Sequence, residues 1–427
     1  MMVLDRKTPP AAGDFRMIPL PDYSVKSLDN GIQVYLLPYG QVEVVQIEAL
    51  YRAGRNYQPK VGLGDYMAKN MTEGTASYTS VKLAHKLDGL GAFIGHHVGE
   101  EALSLKLLCL TDQLPETLPL FKEVVFQPTF PESEFTQMKA RAAQRLKVEA
   151  EKTTFQARRH FKQALFGSHP YGTSMGLDEL AALELSDLQT YHTEKVMSAD
   201  FSLLVVGRYD EARLLAQLNS TLGQQPRHTL EIPAPSAAVE MTEAPTGRQN
   251  VSVQGVQSTV RVGHRGLDRS HPDQHPMTLV NTILGGYYGS RLMKKIREEK
   301  GYTYGVYSLW SAYQFGGQLA IQTDVANEYV ADTLATIRAE MHRLQDDGVD
   351  KAELQLVKNY LAGQSISQRE TPAQMGGILR FALVNGYSFA DLDARFMRLQ
   401  ALSTEEVQRL AQAHLRPEAL LEVVAGN

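Results

Sequence analysis

The sequence predicts a mixed α/β (α+β) protein built from two similar domains. Three observations carry that reading. Short runs rich in β-branched and aromatic residues are interspersed with long helical patterns. A set of weak matches repeats, in order, at an offset of 217–219 residues. A polar, proline-containing stretch separates the two copies.

The elements follow in chain order. Residues 1–21 are Pro-rich and predict an irregular tail. Residues 31–37, Gly-Ile-Gln-Val-Tyr-Leu-Leu, predict a strand. Residues 42–51 predict a second, with Val45, Ile47, Ala49 and Tyr51 alternating onto one face. Helical spacing then runs over 63–71, 81–90, 114–126 and 134–166. In the third of these, Pro115 suits a first turn and Pro119 predicts a kink. Residues 201–206 predict the strand that closes the first half.

The repeat rests on five matches. Glu134 and Lys139 recur as Glu353 and Lys358, at an offset of 219. Thr153 and Gln156 recur as Thr371 and Gln374, and Ala164-Leu165 as Ala382-Leu383, both at 218. Leu185-Ser186 recurs as Leu402-Ser403 at 217, and Leu203-Leu204-Val205-Val206 as Leu421-Glu422-Val423-Val424 at 218. Between the copies, residues 224–250 hold Pro226, Pro233, Pro235 and Pro245 and read as a linker. The expected division is a tail over 1–21, domains over 22–223 and 251–427, and the linker over 224–250.

Composition narrows the function classes. The 427 residues include 43 basic and 48 acidic side chains, a net charge of −5, without the basic excess of a dedicated nucleic-acid binder. A single cysteine, Cys109, excludes an intrachain disulfide framework and any multi-cysteine metal site. Its apolar neighbours Leu107, Leu108 and Leu110 predict a buried thiol. The apolar runs are only a few residues long, so no membrane span is expected. The N-terminus has no apolar core of a signal peptide. The expectation is a soluble protein, cytoplasmic on the sequence as it stands and periplasmic if a signal has been removed.

Histidine pairs offer little. His96 and His97 adjoin on an expected strand, where consecutive side chains point to opposite faces. His271 and His275 are four apart, but Pro272 and Pro276 make that segment a helix-entry loop. Neither pair is expected to bind metal. On the helix at 63–71, Leu63, Tyr66, Met67 and Met71 form a buried stripe, and Asp65 and Lys69 form an i,i+4 pair on another face.

That helix, from Gly62-Leu63 to Glu73-Gly74-Thr75, resembles the signature helix of the pitrilysin/insulinase-like zinc metallopeptidases, which include mitochondrial processing peptidase. The motif there is His-x-x-Glu-His: two histidines grip zinc and the glutamate activates water. The resemblance places Asp65 and Lys69 at the histidine positions, Ala68 at the glutamate and Arg145 at a third ligand. It implies a degenerate zinc site and no cofactor in this chain. Phe166-Gly167-Ser168-His169-Pro170-Tyr171-Gly172, Leu284-Gly285-Gly286 and Ser290-Arg291-Leu292 extend the likeness along nearly the whole chain. The implied fold is a duplicated domain, each copy a mainly antiparallel sheet packed with helices.

The second half carries the informative feature. Residues 290–300 predict a helix with Leu292, Met293 and Ile296 inward, Lys294–Glu298 and Lys295–Glu299 pairs outside, and Gly301 as its stop. Arg297 has no acidic residue one turn away. Tyr304, seven residues on, is expected to begin a strand over 304–309. The Arg–x6–Tyr spacing resembles the family's arginine/tyrosine pair, which faces zinc across a closed chamber and contacts the substrate as oxyanion charge develops. Two-subunit members divide the parts, one chain holding zinc and the other this pair. The resemblance thus implies a catalytically incomplete subunit. Its partner would be a homologous zinc-bearing peptidase chain, and its substrate a peptide or unfolded protein. A non-proteolytic scaffold or peptide-binding homologue is the alternative. The aromatic run Tyr287, Tyr288, Tyr302, Tyr304, Tyr307, Trp310, Tyr313 and Phe315 is expected mainly to pack the core.

Overall fold

The computed structural model describes residues 17–197, 200–225 and 243–427. Residues 1–16 of the expected tail and 226–242 of the expected linker lie outside them. The first sheet contains β1 (Ser24–Ser27), β2 (Gln33–Pro38), β3 (Val44–Tyr51), β4 (Phe93–Val98), β5 (Leu103–Leu110) and β6 (Phe201–Gly207). The second contains β7 (Gly247–Ser252), β8 (Gln257–Gly266), β9 (Val306–Tyr313), β10 (Gly316–Ala326) and β11 (Leu421–Gly426). β7 takes up the last residues assigned to the linker.

The strand orders are β1-β2-β6-β3-β5-β4 and β7-β11-β8-β10-β9. Without β1, the two sheets have one topology. Each has a single parallel pair, β2 with β6 and β11 with β7, and is otherwise antiparallel. The repeat read from weak matches is therefore a structural duplication.

Helices cover one face of the first sheet: α1 (Leu63–Asn70), α2 (Ser80–Gly89), α3 (Leu114–Phe126) and α4 (Glu132–Ala150). Val45, Ile47, Ala49 and Tyr51 are buried on this face, as the alternation predicts, and Cys109 is buried with them. α3 runs unbroken through Pro119 as an α-helix.

Residues 134–166 are two helices, not one. α4 stops at Ala150, Lys152 is extended, and α5 (Thr153–Phe166) begins anew. The break lets α5 leave its own sheet. Its Ala157, Phe161 and Leu165 pack on Leu421, Val423 and Ala425 of the second sheet. The equivalent helix of the second repeat, Pro372–Asn385, crosses the other way: Met375, Leu379 and Ala382 pack on Leu37, Leu204 and Val206. Each sheet is thus closed by a helix from the other half. Burying these apolar faces contributes about 25 cal/mol per Å² removed from water. A buried ion pair, Arg380 to Glu48 at 2.8 Å, joins the second crossing to β3.

The exchange corrects one alignment. Leu204 and Val206 face the crossing helix in one sheet, whereas Leu421, Val423 and Ala425 do so in the other. Leu204 cannot then match Glu422, as an offset of 218 requires. A one-residue slip turns every strand side chain to the opposite face.

Candidate functional site

The four positions that the resemblance assigns to a degenerate zinc site lie on two helices, α1 and α4. α1 presents Asp65, Ala68 and Lys69, and its stripe of Leu63, Tyr66, Met67 and Met71 is buried as expected. Ala68 is buried too. Asp65 does not pair with Lys69. It binds Arg55 at 3.5 Å, and the same guanidinium reaches Glu100 at 3.5 Å. Lys69 instead lies over the Tyr66 ring, 5.4 Å from its centroid. Burial pushes the Tyr66 phenol up, with Arg145 on α4 and Asp65 close enough to pull it in opposite directions. Burial pushes the His96 imidazole of β4 down, and Lys69 adds to that shift.

The chemistry of these four residues does not fit zinc. The one carboxylate is held by an arginine, a methyl group stands where water would be activated, and two exposed cations complete the set. Arg55 is the member that sequence spacing did not reveal, because it approaches from outside the helix. His96 and His97 sit on β4 with opposite orientations, as the period of a strand requires.

The second constellation lies in the other half. Residues Met293–Glu299 wind as a π-helix, with the Lys300 N–H bonding the Lys295 carbonyl at 3.1 Å. Leu292, Met293 and Ile296 are buried, and Gly301 ends the helix at φ +69°, as the sequence predicts. Of the two expected surface pairs only Lys295–Glu299 forms, at 2.7 Å.

Tyr304 does not begin a strand. β9 starts at Val306, and Tyr304 stands in the preceding loop, 90% exposed. Thr303 accounts for this: its hydroxyl bonds Gly305 N at 3.1 Å and Thr323 Oγ1 at 2.9 Å, a local turn in place of ladder pairing. The loop folds back so that the Tyr304 ring lies 5.0 Å from the Arg297 guanidinium. Tyr288 covers the same guanidinium at 4.7 Å and is 63% exposed. Among the described residues Arg297 has no carboxylate partner. Tyr288 was expected in the core. Its neighbour Tyr287 does pack there, against Tyr360 at 5.0 Å.

Gly285 is buried against β9, where a Cβ would meet the Ser308 side chain at 2.8 Å. Arg291 is committed to Glu353 at 2.8 Å and to the Gly348 carbonyl. A third cluster, His271, Asp273 and His414, brings three potential ligand atoms within 4.8 Å. His414 lies far along the chain from the other two, so spacing could not show it. Asp273 is already engaged there, by both Arg409 nitrogens at 3.2 and 3.3 Å and by His414 at 2.8 Å. The group reads as an ion-pair cluster.

The two sheets, each closed by a helix of the other half, form a duplicated α/β fold. Residues 43–177 match insulinase (peptidase family M16), and residues 182–361 match the peptidase M16 inactive domain. The chain belongs to the M16 family. An uncharacterized zinc protease, YmxG of Bacillus subtilis, is 22% identical over 403 residues, 93% of this chain and 97% of that protein. A non-peptidase homolog, YmxG of Helicobacter pylori, is 23% identical over 411 residues, 92% of this chain and 90% of its own. The crystal structure of a peptidase M16 inactive domain from Pseudomonas fluorescens has a TM-score of 0.85 at 23% identity, covering 95% of this chain and 98% of that one. A protease from Helicobacter pylori gives 0.83 at 18%, covering 95% and 100%. Among the described residues, no helix is long and apolar enough to cross a membrane.

Proposed function

We propose that this chain is the catalytically incomplete subunit of a heterodimeric zinc metallopeptidase. It closes half of a peptide-holding chamber and supplies Arg297 and Tyr304 to substrate bound at the partner's zinc site. Zinc belongs to the partner, a homologous chain, and the substrate is a peptide or unfolded protein. The observation that carries this reading is the state of Arg297: a guanidinium with no carboxylate partner among the described residues, lying over two exposed tyrosine rings. Packing inside the chain gives no reason for that arrangement. A planar fork of donors is suited to a carbonyl oxygen that gains charge during attack.

The test is single-turnover cleavage by the complex reconstituted with a zinc-bearing homologue, beside an independent peptide-binding assay. Arg297→Ala and Tyr304→Phe should each lower kcat by a factor of about 10²–10³, the usual cost of one preorganised oxyanion donor. Peptide affinity should change less, because the contacts strengthen in the transition state. Arg297→Lys should rescue only in part, since a point charge lacks the fork. Turnover within about twofold of the parent for both would remove the reading. The second reading, a non-proteolytic scaffold or peptide-binding homologue, would then lead. A relative described as a non-peptidase homolog favours it.

A further inference from the structure

The Arg297 guanidinium lies over two aromatic rings, Tyr288 at 4.7 Å and Tyr304 at 5.0 Å. The two rings come from different segments. Tyr304 is in the loop after the helix that carries Arg297, and Tyr288 is in the turn before it, just beyond the π-wound segment Thr282–Gly286. Both flanking segments are anchored. Tyr287 packs on Tyr360, Gly285 is pressed against Ser308, and Thr303 is bonded to Thr323. The side chain between them is long and would otherwise sample many rotamers.

We infer that Tyr288 is a positioning residue, a third member of the arginine/tyrosine set, and this rests on the function proposed above. All five N–H donors of a guanidinium lie in its plane, so a ring packed against it leaves those donors free to meet an acceptor. Tyr288 thereby restricts the orientations in which Arg297 meets an acceptor. The ligand so met is an oxygen acceptor in the plane of those donors: a peptide carbonyl in extended main chain. Tyr288 acts through its ring face, not its hydroxyl. Two exposed aromatic rings thus have a common purpose that core packing does not supply.

Two measurements test this, and they fail independently. The first uses the whole chain alone. Phenylglyoxal modification of Arg297 is followed by mass spectrometry in the parent, Tyr288→Ala and Tyr288→Phe. Removing the ring should raise the rate by roughly two- to fivefold, the equivalent of one exposed cation–π contact of about 0.5–1 kcal/mol. Tyr288→Phe keeps the ring and should stay near the parent rate. An unchanged rate in Tyr288→Ala overturns the inference. The second uses the reconstituted complex. Tyr288→Ala should lower kcat by a similar factor with little change in KM, and Tyr288→Phe should restore most of it. If Arg297→Ala cripples turnover while Tyr288→Ala does not, Tyr288 has no positioning role. If Arg297→Ala itself is harmless, the proposed function fails, and the labelling result still decides whether the stack exists.

Discussion

Lys139 donates from its ammonium group to the carbonyl oxygen of Leu183 at 2.6 Å, and 219 residues later Lys358 does the same to Leu402 at 2.7 Å. Both lysines sit on the second long helix of their repeat. Both reach carbonyls at or just beyond the C-terminal end of a later helix, where the backbone leaves acceptors unpaired. The duplication is thus preserved as a particular bond as well as a topology.

Lys139→Met and Lys358→Met should each destabilise the protein by about 1.5–3 kcal/mol, the range for a hydrogen bond to a charged group. The sites share no partner, so the double variant should lose close to the sum. Urea midpoints at constant m would measure this. A double variant no weaker than either single one would show that the two bonds are not independent.

Because each sheet is closed by a helix of the other half, the halves should unfold together. Natural probes are available: Trp310 is the single tryptophan and lies in β9, while Cys109 is the single cysteine and is buried in β5. Tryptophan fluorescence and thiol reactivity followed through urea should give coincident transitions. Separated midpoints would mean that each repeat is stable without the helix it borrows.

The purified chain should bind no stoichiometric zinc at the α1 site. Asp65 is held by Arg55, and Lys69 and Arg145 add repulsion. Elemental analysis after zinc incubation and dialysis is the measurement. Zinc that vanished with Asp65→Ala would contradict the degenerate reading. Zinc that survived it but vanished with Asp273→Ala would instead assign a site to the His271–Asp273–His414 cluster.

Stability should fall as the medium is acidified from neutral. Burial pushes the imidazoles of His264 and His275 down to about 4, with Arg416 and His414 near the first and Arg395 near the second. Their ordinary value is about 6.5. Between these values the unfolded chain takes up protons that the folded chain does not. The stabilisation is whole above pH 6.5 and is lost as pH falls towards 4. Thermal midpoints from pH 7.5 to 4 should trace that loss, and His275→Leu should flatten it, whatever its effect at neutral pH. A slope identical to the parent's would show that His275 does not stay neutral in the fold.

Much of the fold was legible because its signals are local. The α1 stripe, the Gly301 stop and the alternation of β3 depend on residues a few positions apart. The failures share another cause. Nothing at Glu151-Lys152 marks a helix end; α5 starts afresh because its apolar face belongs on the other sheet. Tyr304 has the β propensity of a strand residue, but the Thr303 hydroxyl wins the backbone first. Asp65 and Lys69 have ideal spacing for a pair, yet Arg55 takes the carboxylate from across the fold. At the candidate site the residue types were readable from spacing, whereas the second ring beside Arg297, Tyr288, was not.

The crossing of α5 and Pro372–Asn385 has one more consequence. Two copies of a unit that lend each other the same helix form the arrangement of a domain-swapped dimer. Here both protomers share one backbone, so the swap is intramolecular and its effective concentration is set by the connection rather than by dilution. Neither copy can drift from the other without stripping a sheet. Side chains away from the crossing helices of either copy are therefore free to change while the pair still holds its shape.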